Sequence, residues 1–490
     1  MRSKTAVGTD AGLAHWMREV LKEAAKTADG LDSDAVHDLR VALRRCRSLA
    51  GGFRAIDPDK NWKRMRRQAS SLFDSLGELR DCHVMMHWVE QLGPRDDPIT
   101  QTLAAHIGED EPALKDRAAT AIKRFDTAQW QSWIRILPRR VSHLPLGAEA
   151  FQSLAVEQLN FARRMQTPAL KTRGASEFHR LRIEIKKFRY IVENFLPAQH
   201  QQWEKGLKLV QDLLGEIHDL DVLRDNVDRV ATDEILAAPA AWRQILERER
   251  QVRVERYRDA MTGKNSLWSI WRSGLPRGRA VRKASVKRLQ AWSSFLDSDQ
   301  QHNRRVARFA VLIHDGLSRL KILEGHAADD RELLRAASLV HEVGRQAGKR
   351  GHHKQTEKMV RGLERLAGWK RKEVMLMARI ARFHRGALPG MSSLNDMPAT
   401  EWQRIRILSG ILRLANALDA DHDGSIRSIT VRKREGFVTI RAAGLETDSA
   451  RAEHVAASRY LLETACGVPI LVQPAINCIP EGNRLTRMRD

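Results

Sequence analysis

Cysteine is nearly missing from this sequence: Cys46, Cys82, Cys466 and Cys478 are all it has, far apart and with no CxxC pair. That spacing suggests neither a cysteine-ligated zinc site nor a disulfide framework, and it points to a reducing, intracellular setting. No run of about 18 apolar residues occurs, so no transmembrane helix is expected. The opening MRSKTAVGTDAGLAHWMREV has no apolar stretch leading to small residues, so no signal peptide is read. A soluble, cytoplasmic protein is the expectation. Proline is scarce, 15 in 490 residues. Long stretches carry Leu, Ala, Arg, Glu and Gln at helical spacing, which predicts a mainly α-helical chain.

Acid is the other shortage. Lys and Arg number 84 against 61 Asp and Glu, a net charge of +23 with a pI near 10.3. Such an excess points to a polyanionic partner: nucleic acid, an anionic membrane surface or a phosphate polymer. The length suggests roughly two to four domains.

What is present is a repeat. VHDLRVALRRCRS, from Val36, returns as FHRLRIEIKKFRY, from Phe178, and each is followed at similar distance by a matched block, LGELRDCHV from Leu76 and LGEIHDLDV from Leu214. Two matched blocks in one order predict two copies of a helical unit, over about 10–125 and 150–262, facing each other with approximate two-fold symmetry. On a helix of ~100° per residue, with His37 at zero, Arg40, Arg44 and Arg47 fall at about 300°, 340° and 280°. Leu39, Leu43 and Cys46 take the neighbouring face. His179, Arg182, Lys186 and Arg189 repeat the cationic stripe beside Leu181, Ile185 and Phe188. Like charges at this spacing destabilise a helix by tenths of a kcal/mol per pair, so two such rows call for a ligand with repeating negative charge. Arg forks suit phosphate oxygens. Base readers and stacking aromatics are almost absent from the stripes, Tyr190 being the nearest, which favours inorganic polyphosphate over DNA or RNA.

These motifs resemble the conserved histidine α-helical domain family, CHAD, over residues 10–262. The resemblance implies two pseudo-symmetric helical halves that bind polyphosphate through a basic central surface. It carries the binding role to His37, Arg40, Arg44, Arg45, Arg47, His179, Arg182, Lys186, Lys187 and Arg189, although Arg45 and Lys187 lie off the stripe. Arg67 and Lys205, at matching places before the Leu-Gly blocks, are added to them. Asp81, Asp219 and Asp221 are expected to orient the cations rather than to catalyse. No acidic, alternating β-rich segment stands for the triphosphatase domain that often accompanies CHAD.

Residues 263–283, with SGLPRGRAVRK, carry Gly, Pro and charge and predict a linker. Residues 284–475 form a second helical domain ending in a small sheet. SIRSITVRKREGFVTIRA predicts a β-hairpin and VPILVQP a third strand, before a tail at 476–490. VHEVG is similar to the His-Asp doublet of HD-type phosphohydrolases. The candidate metal ligands of an intact site are His302, His341, Glu342, His353, His384 and Asp419, with Asn416 nearby. HEVG, GHHK, RFHRGALP and LRLANALD together resemble the C-terminal region of the exopolyphosphatase/guanosine pentaphosphate phosphatase family. That resemblance implies a role in polymer binding and assembly. The hydrolytic chemistry there belongs to an actin-like domain whose Gly-rich loops are not found here.

Glu342 stands for the doublet's Asp, Asn416 for a late Asp, and Gln355 for another histidine. The metal site is therefore expected to be degenerate, with no cofactor unless a divalent ion binds. The basic cluster Lys349, Arg350, His352, His353 and Lys354 would add phosphate contacts. The expectation is a non-catalytic polyphosphate-binding protein, in the cytoplasm or at polyphosphate granules, with no membrane partner, whose HD-like domain extends the surface or makes a homodimer. The alternatives are a metal-dependent phosphohydrolase acting on polyphosphate or nucleotides, and non-specific nucleic-acid binding.

Overall fold

The structure, a computed structural model, describes residues 9–93, 97–230, 238–323, 327–348, 350–363, 365–390, 394–395 and 397–475. The tail 476–490, with Cys478, and Lys349 lie outside the described residues. The chain divides into two units, Met1–Arg288 and Leu289–Asp490.

The first unit is helical. It begins with α1 (Thr9–Asp29), α2 (Ser33–Arg54), α3 (Lys60–Leu92), α4 (Pro98–Glu109), α5 (Glu111–Lys123) and α6 (Thr127–Val141). There follow α7 (Glu149–Thr172), α8 (Ala175–Phe195), α9 (Pro197–Val230), α10 (Ala238–Met261), α11 (Leu267–Ser273) and α12 (Arg279–Ser294), which contains the point of division. The predicted repeat is visible in the packing. α2 lies between α1 and α3, α8 lies between α7 and α9, and α2 packs against α8.

Periodicity explains the order. α2 buries Val36, Leu39, Leu43, Cys46 and Phe53, and α8 buries Phe178, Leu181, Ile185, Phe188 and Phe195. Each helix thus has one apolar stripe turned to the core. Where the two halves meet, a Cβ on Gly52 would fall 2.2 Å from the Phe195 ring, so only glycine admits that ring. Phe195 stacks on Phe151 at 4.3 Å and meets Phe53 edge-on at 5.0 Å. Segment 263–283, read from sequence as a linker, holds α11, whose Trp268 and Trp271 are buried.

The second unit contains α13 (Gln300–Arg319), α14 (Ala327–Val340), a 3₁₀ turn (Val343–Ala347), α15 (His352–Arg361), α16 (Arg371–Arg382) and α17 (Ala399–Leu418). β1 (Ser428–Arg434) and β2 (Phe437–Ala443) form the antiparallel hairpin, with Val431 opposite Ile440, and Gly436 turns at φ 77°. α18 (Ala450–Ser458) and α19 (Tyr460–Cys466) lead to β3 (Ile470–Pro474), parallel to β2. β1 docks on α13 at Gly316, where a Cβ would stand 2.4 Å from Val431. No described helix is long and apolar enough to cross a membrane.

Candidate functional site

The Asp32 carboxylate accepts hydrogen bonds from the Asp34 and Ala35 amides and so starts α2 just before His37. α8 begins after Gly174, again just before its histidine. The end of α8 is tied to the middle of α2: Asn194 Nδ2 donates to Ser48 Oγ at 2.7 Å, and Arg45 pairs with Glu193 at 2.5 Å. Cations from the two halves come close to one another. Lys186 feels Arg44 and Arg40 across the interface, and Asp81 feels Arg182 and Lys186.

The electrostatics there are unfavourable without a ligand. Burial first, then Arg182, Arg44 and Arg40, pull the Lys186 ammonium down to about 7, with Asp219 opposing. Burial also brings Arg40 down to about 10, helped by Arg44, Arg80 and Arg47 against Asp81. Arg182 is lowered by burial, with Asp219 and Asp81 opposing, and its Nε is buried with no hydrogen-bond partner. Asp81 and Asp219, the carboxyls nearest these cations, are both raised by burial, with Arg182 and Lys186 opposing. A buried donor without a partner costs about 1–3 kcal/mol. An anion spanning both rows would satisfy it.

Histidine surrounds the cluster in neutral form. His37 is lowered by burial, Arg80 and Arg44, and His179 by burial, Arg182 and Lys186. Sequence reasoning missed Arg80 and His218, which occupy equivalent positions in the two Leu-Gly blocks. His218 lies 4.9 Å from His179, and burial followed by Arg182, His179 and Lys186 brings it to about 4. The repeat itself was the available signal, since each block places its residue just before Asp81 or Asp219.

The other predicted residues separate clearly. Arg40 and Arg47 stand over the Phe73 ring, at 4.1 and 4.4 Å from its centre, and Arg40 also donates to the Phe73 carbonyl at 2.8 Å. Arg45 and Arg189 face Glu193, the latter at 3.8 Å, and Lys187 pairs with Glu184 at 2.7 Å. Arg45 and Lys187 are thus locally neutralised. Arg67 and Lys205 are exposed on α3 and α9, and no described contact ties them to the cluster.

In the second unit His302, His341, Glu342, His384 and Asp419 come together in the core, each under 5 % exposed. His352 joins them at 3.1 Å from Glu342, whereas its neighbour His353 faces outward beside Gly386. Asn416 Oδ1 lies 3.0 Å from His302 Nε2 and 3.1 Å from His341 Nε2. Asp419 is taken by His302 Nδ1 at 2.8 Å and Arg305 Nε at 2.7 Å.

The CHAD domain model matches residues 11–228, and the model of Ppx/GppA phosphatase, domain III, matches residues 281–443. No curated protein matches the chain significantly. Among solved structures, the CHAD domain from the plant Ricinus communis matches with 22% identity and a TM-score of 0.39, over 55% of this chain and 91% of that one. The chain joins a CHAD domain to a Ppx/GppA phosphatase domain III.

Proposed function

We propose that the first unit binds inorganic polyphosphate, without hydrolysing it, across the face shared by α2 and α8. Both domain matches suggest a polyphosphate-related function. The observation that carries the finer statement is the convergence of Arg40, Arg44, Arg182 and Lys186 from two halves, with the Arg182 Nε left without a partner. A string of phosphates supplies the missing charge at each step along both rows. A duplex would need base readers or free stacking rings to be told apart from other polyanions. Here Phe73, beside the cluster, already carries two guanidiniums. The protein then acts where polyphosphate accumulates, in the cytoplasm and at its granules, and the second unit extends the binding surface or pairs two chains.

Competition at matched phosphate concentration tests this. Long-chain polyphosphate is expected to displace a labelled polyphosphate probe at least tenfold more effectively than duplex DNA. The polyphosphate affinity is also expected to fall linearly with salt on logarithmic axes. DNA winning that competition overturns the proposal.

Phe73 gives a second expected outcome. Cation–π contacts at exposed sites contribute about 0.5–1 kcal/mol each, and Phe73 holds two arginines in place. Phe73→Leu is expected to weaken polyphosphate binding about tenfold with helix content by circular dichroism unchanged.

A further inference from the structure

The cationic stripes of the first unit offer few groups that a base could use, but the sheet of the second unit offers several. Side chains alternate between the two faces of a strand. Val431 packs on α13 at Gly316, and Ile440 opposite it is fully buried, so that parity faces the helix. The other parity makes an outer face. On β1 it carries Arg432 and Arg434, both exposed. Arg432 stands opposite Thr439 of β2, and Thr430 stands opposite Arg441.

Charge on this hairpin is one-sided. Residues 428–443 hold four cations, Arg432, Lys433, Arg434 and Arg441, and one acid, Glu435. None of the four cations forms an ion pair among the described residues. Arg432 and Arg441 are diagonal neighbours, a placement that sets backbones about 7–8 Å apart and within reach of long side chains. One anion can therefore engage both. Thr439, beside both, is 1% exposed. Its hydroxyl and the Arg441 Nε are buried with no hydrogen-bond partner. Buried polar groups are nearly always paired, and a phosphate oxygen accepts from either donor.

A bare phosphate chain would need only these cations. The same face also offers surface for bases. Phe437 pairs with Arg434 beside the turn, is half-buried, and has no ring or cation against it among the described residues. Leu471 of β3, opposite Thr439, is 39% exposed. Gln473, opposite Arg441, has a side-chain amide with no hydrogen bond among the described residues. Such an amide pairs with base edges.

We propose that the outer face of this sheet binds single-stranded nucleic acid. Arg432, Arg434 and Arg441 hold successive phosphates, one base stacks on the Phe437 ring, and another lies beside Leu471 and Gln473. A duplex keeps its base faces stacked inside and leaves the ring unused. The site belongs to the second unit alone, so it does not depend on the polyphosphate proposal for the first.

Anisotropy of the full chain with labelled oligothymidine tests this. It is measured in the wild type and in a chain whose Arg40, Arg44, Arg182 and Lys186 are alanine, so that the first unit cannot mask the sheet. In both, oligothymidine is expected to bind at least tenfold more tightly than duplex DNA of the same length. Phe437→Ala is expected to lose about tenfold in affinity, and Phe437→Trp to restore it, with the circular dichroism spectrum unchanged. Arg432→Ala with Arg441→Ala is expected to lower the slope of log affinity against log salt by about 1.4, two phosphates' worth for a single strand. Duplex DNA binding as tightly as oligothymidine overturns the proposal, as does full affinity in Phe437→Ala. So does polyphosphate displacing the probe from the alanine-substituted chain more effectively than unlabelled oligothymidine, since the sheet would then be reading phosphate alone.

Discussion

Changing Arg40, Arg44, Arg182 and Lys186 together to alanine is expected to weaken polyphosphate binding by about three orders of magnitude. Hydrogen bonds to charged groups contribute about 1.5–3 kcal/mol when well formed. Discounted to about 1 kcal/mol each for partial exposure, four of them reach that figure. The comparison that gives the result meaning is Arg45→Ala with Lys187→Ala. Those two cations carry the same formal charge but are paired with Glu193 and Glu184, so their removal is expected to change affinity less than about twofold. A loss in the double variant of about half the logarithmic loss in the quadruple variant, in proportion to the two charges removed against four, would mean that bulk charge, rather than the converging face, does the binding. Wild-type affinity in the quadruple variant would remove the basis of the proposal altogether. Titration calorimetry or anisotropy at two salt concentrations reads both.

The second large effect is on pH. In the free protein the Lys186 ammonium titrates near 7, held down by burial and by Arg182, Arg44 and Arg40. Phosphates placed beside it favour the charged form, so its pKa is higher in the complex and binding takes up a proton. Between the free and bound values, affinity is therefore expected to fall as pH rises, by up to about tenfold per pH unit for one proton. The window opens near pH 7 and extends upward. Internal phosphates of a long chain stay ionised throughout, so the slope belongs to the protein. Lys186→Arg keeps a cation that never deprotonates in this range. It is expected to bind as tightly at pH 7 and to lose the slope above it. A flat wild-type profile, or an unchanged slope in Lys186→Arg, would refute the assignment. His37 and His179 are lowered from their ordinary value, and His218 to about 4, so they add a dependence only on the acid side.

Much of the first unit was legible in the sequence because a helix converts spacing into direction. The His-x-Leu-Arg pattern placed Arg40, Arg44, Arg182 and Lys186 on one stripe, and Leu39, Leu43, Leu181 and Ile185 on the next. The β-hairpin and third strand were legible from alternation and turn chemistry. Other features depend on partners distant in sequence. Arg45 is ion-paired with Glu193, far along the chain, whereas the Glu184–Lys187 pair sits one turn apart and was open to reading. Arg80 and His218 went unnoticed because the two copies use different residues at the same place.

In GHHK, adjacent helix positions point about 100° apart, so only one of two identical rings can face the core. Which one is decided by how Gly351, at φ 75°, delivers the chain into α15, and composition is silent on that. The Gly and Pro around Trp268 and Trp271 obscured a short buried helix for the opposite reason: boundary residues outnumbered the core ones.

The crossing at Gly52 sets the spacing of the two halves. Phe195 of one half rests where the other half has no side chain, and Phe151 and Phe53 hold that ring from two sides. If the shared face binds polyphosphate as proposed, this close packing leaves the ordering cost of binding with the flexible phosphate chain rather than with the protein.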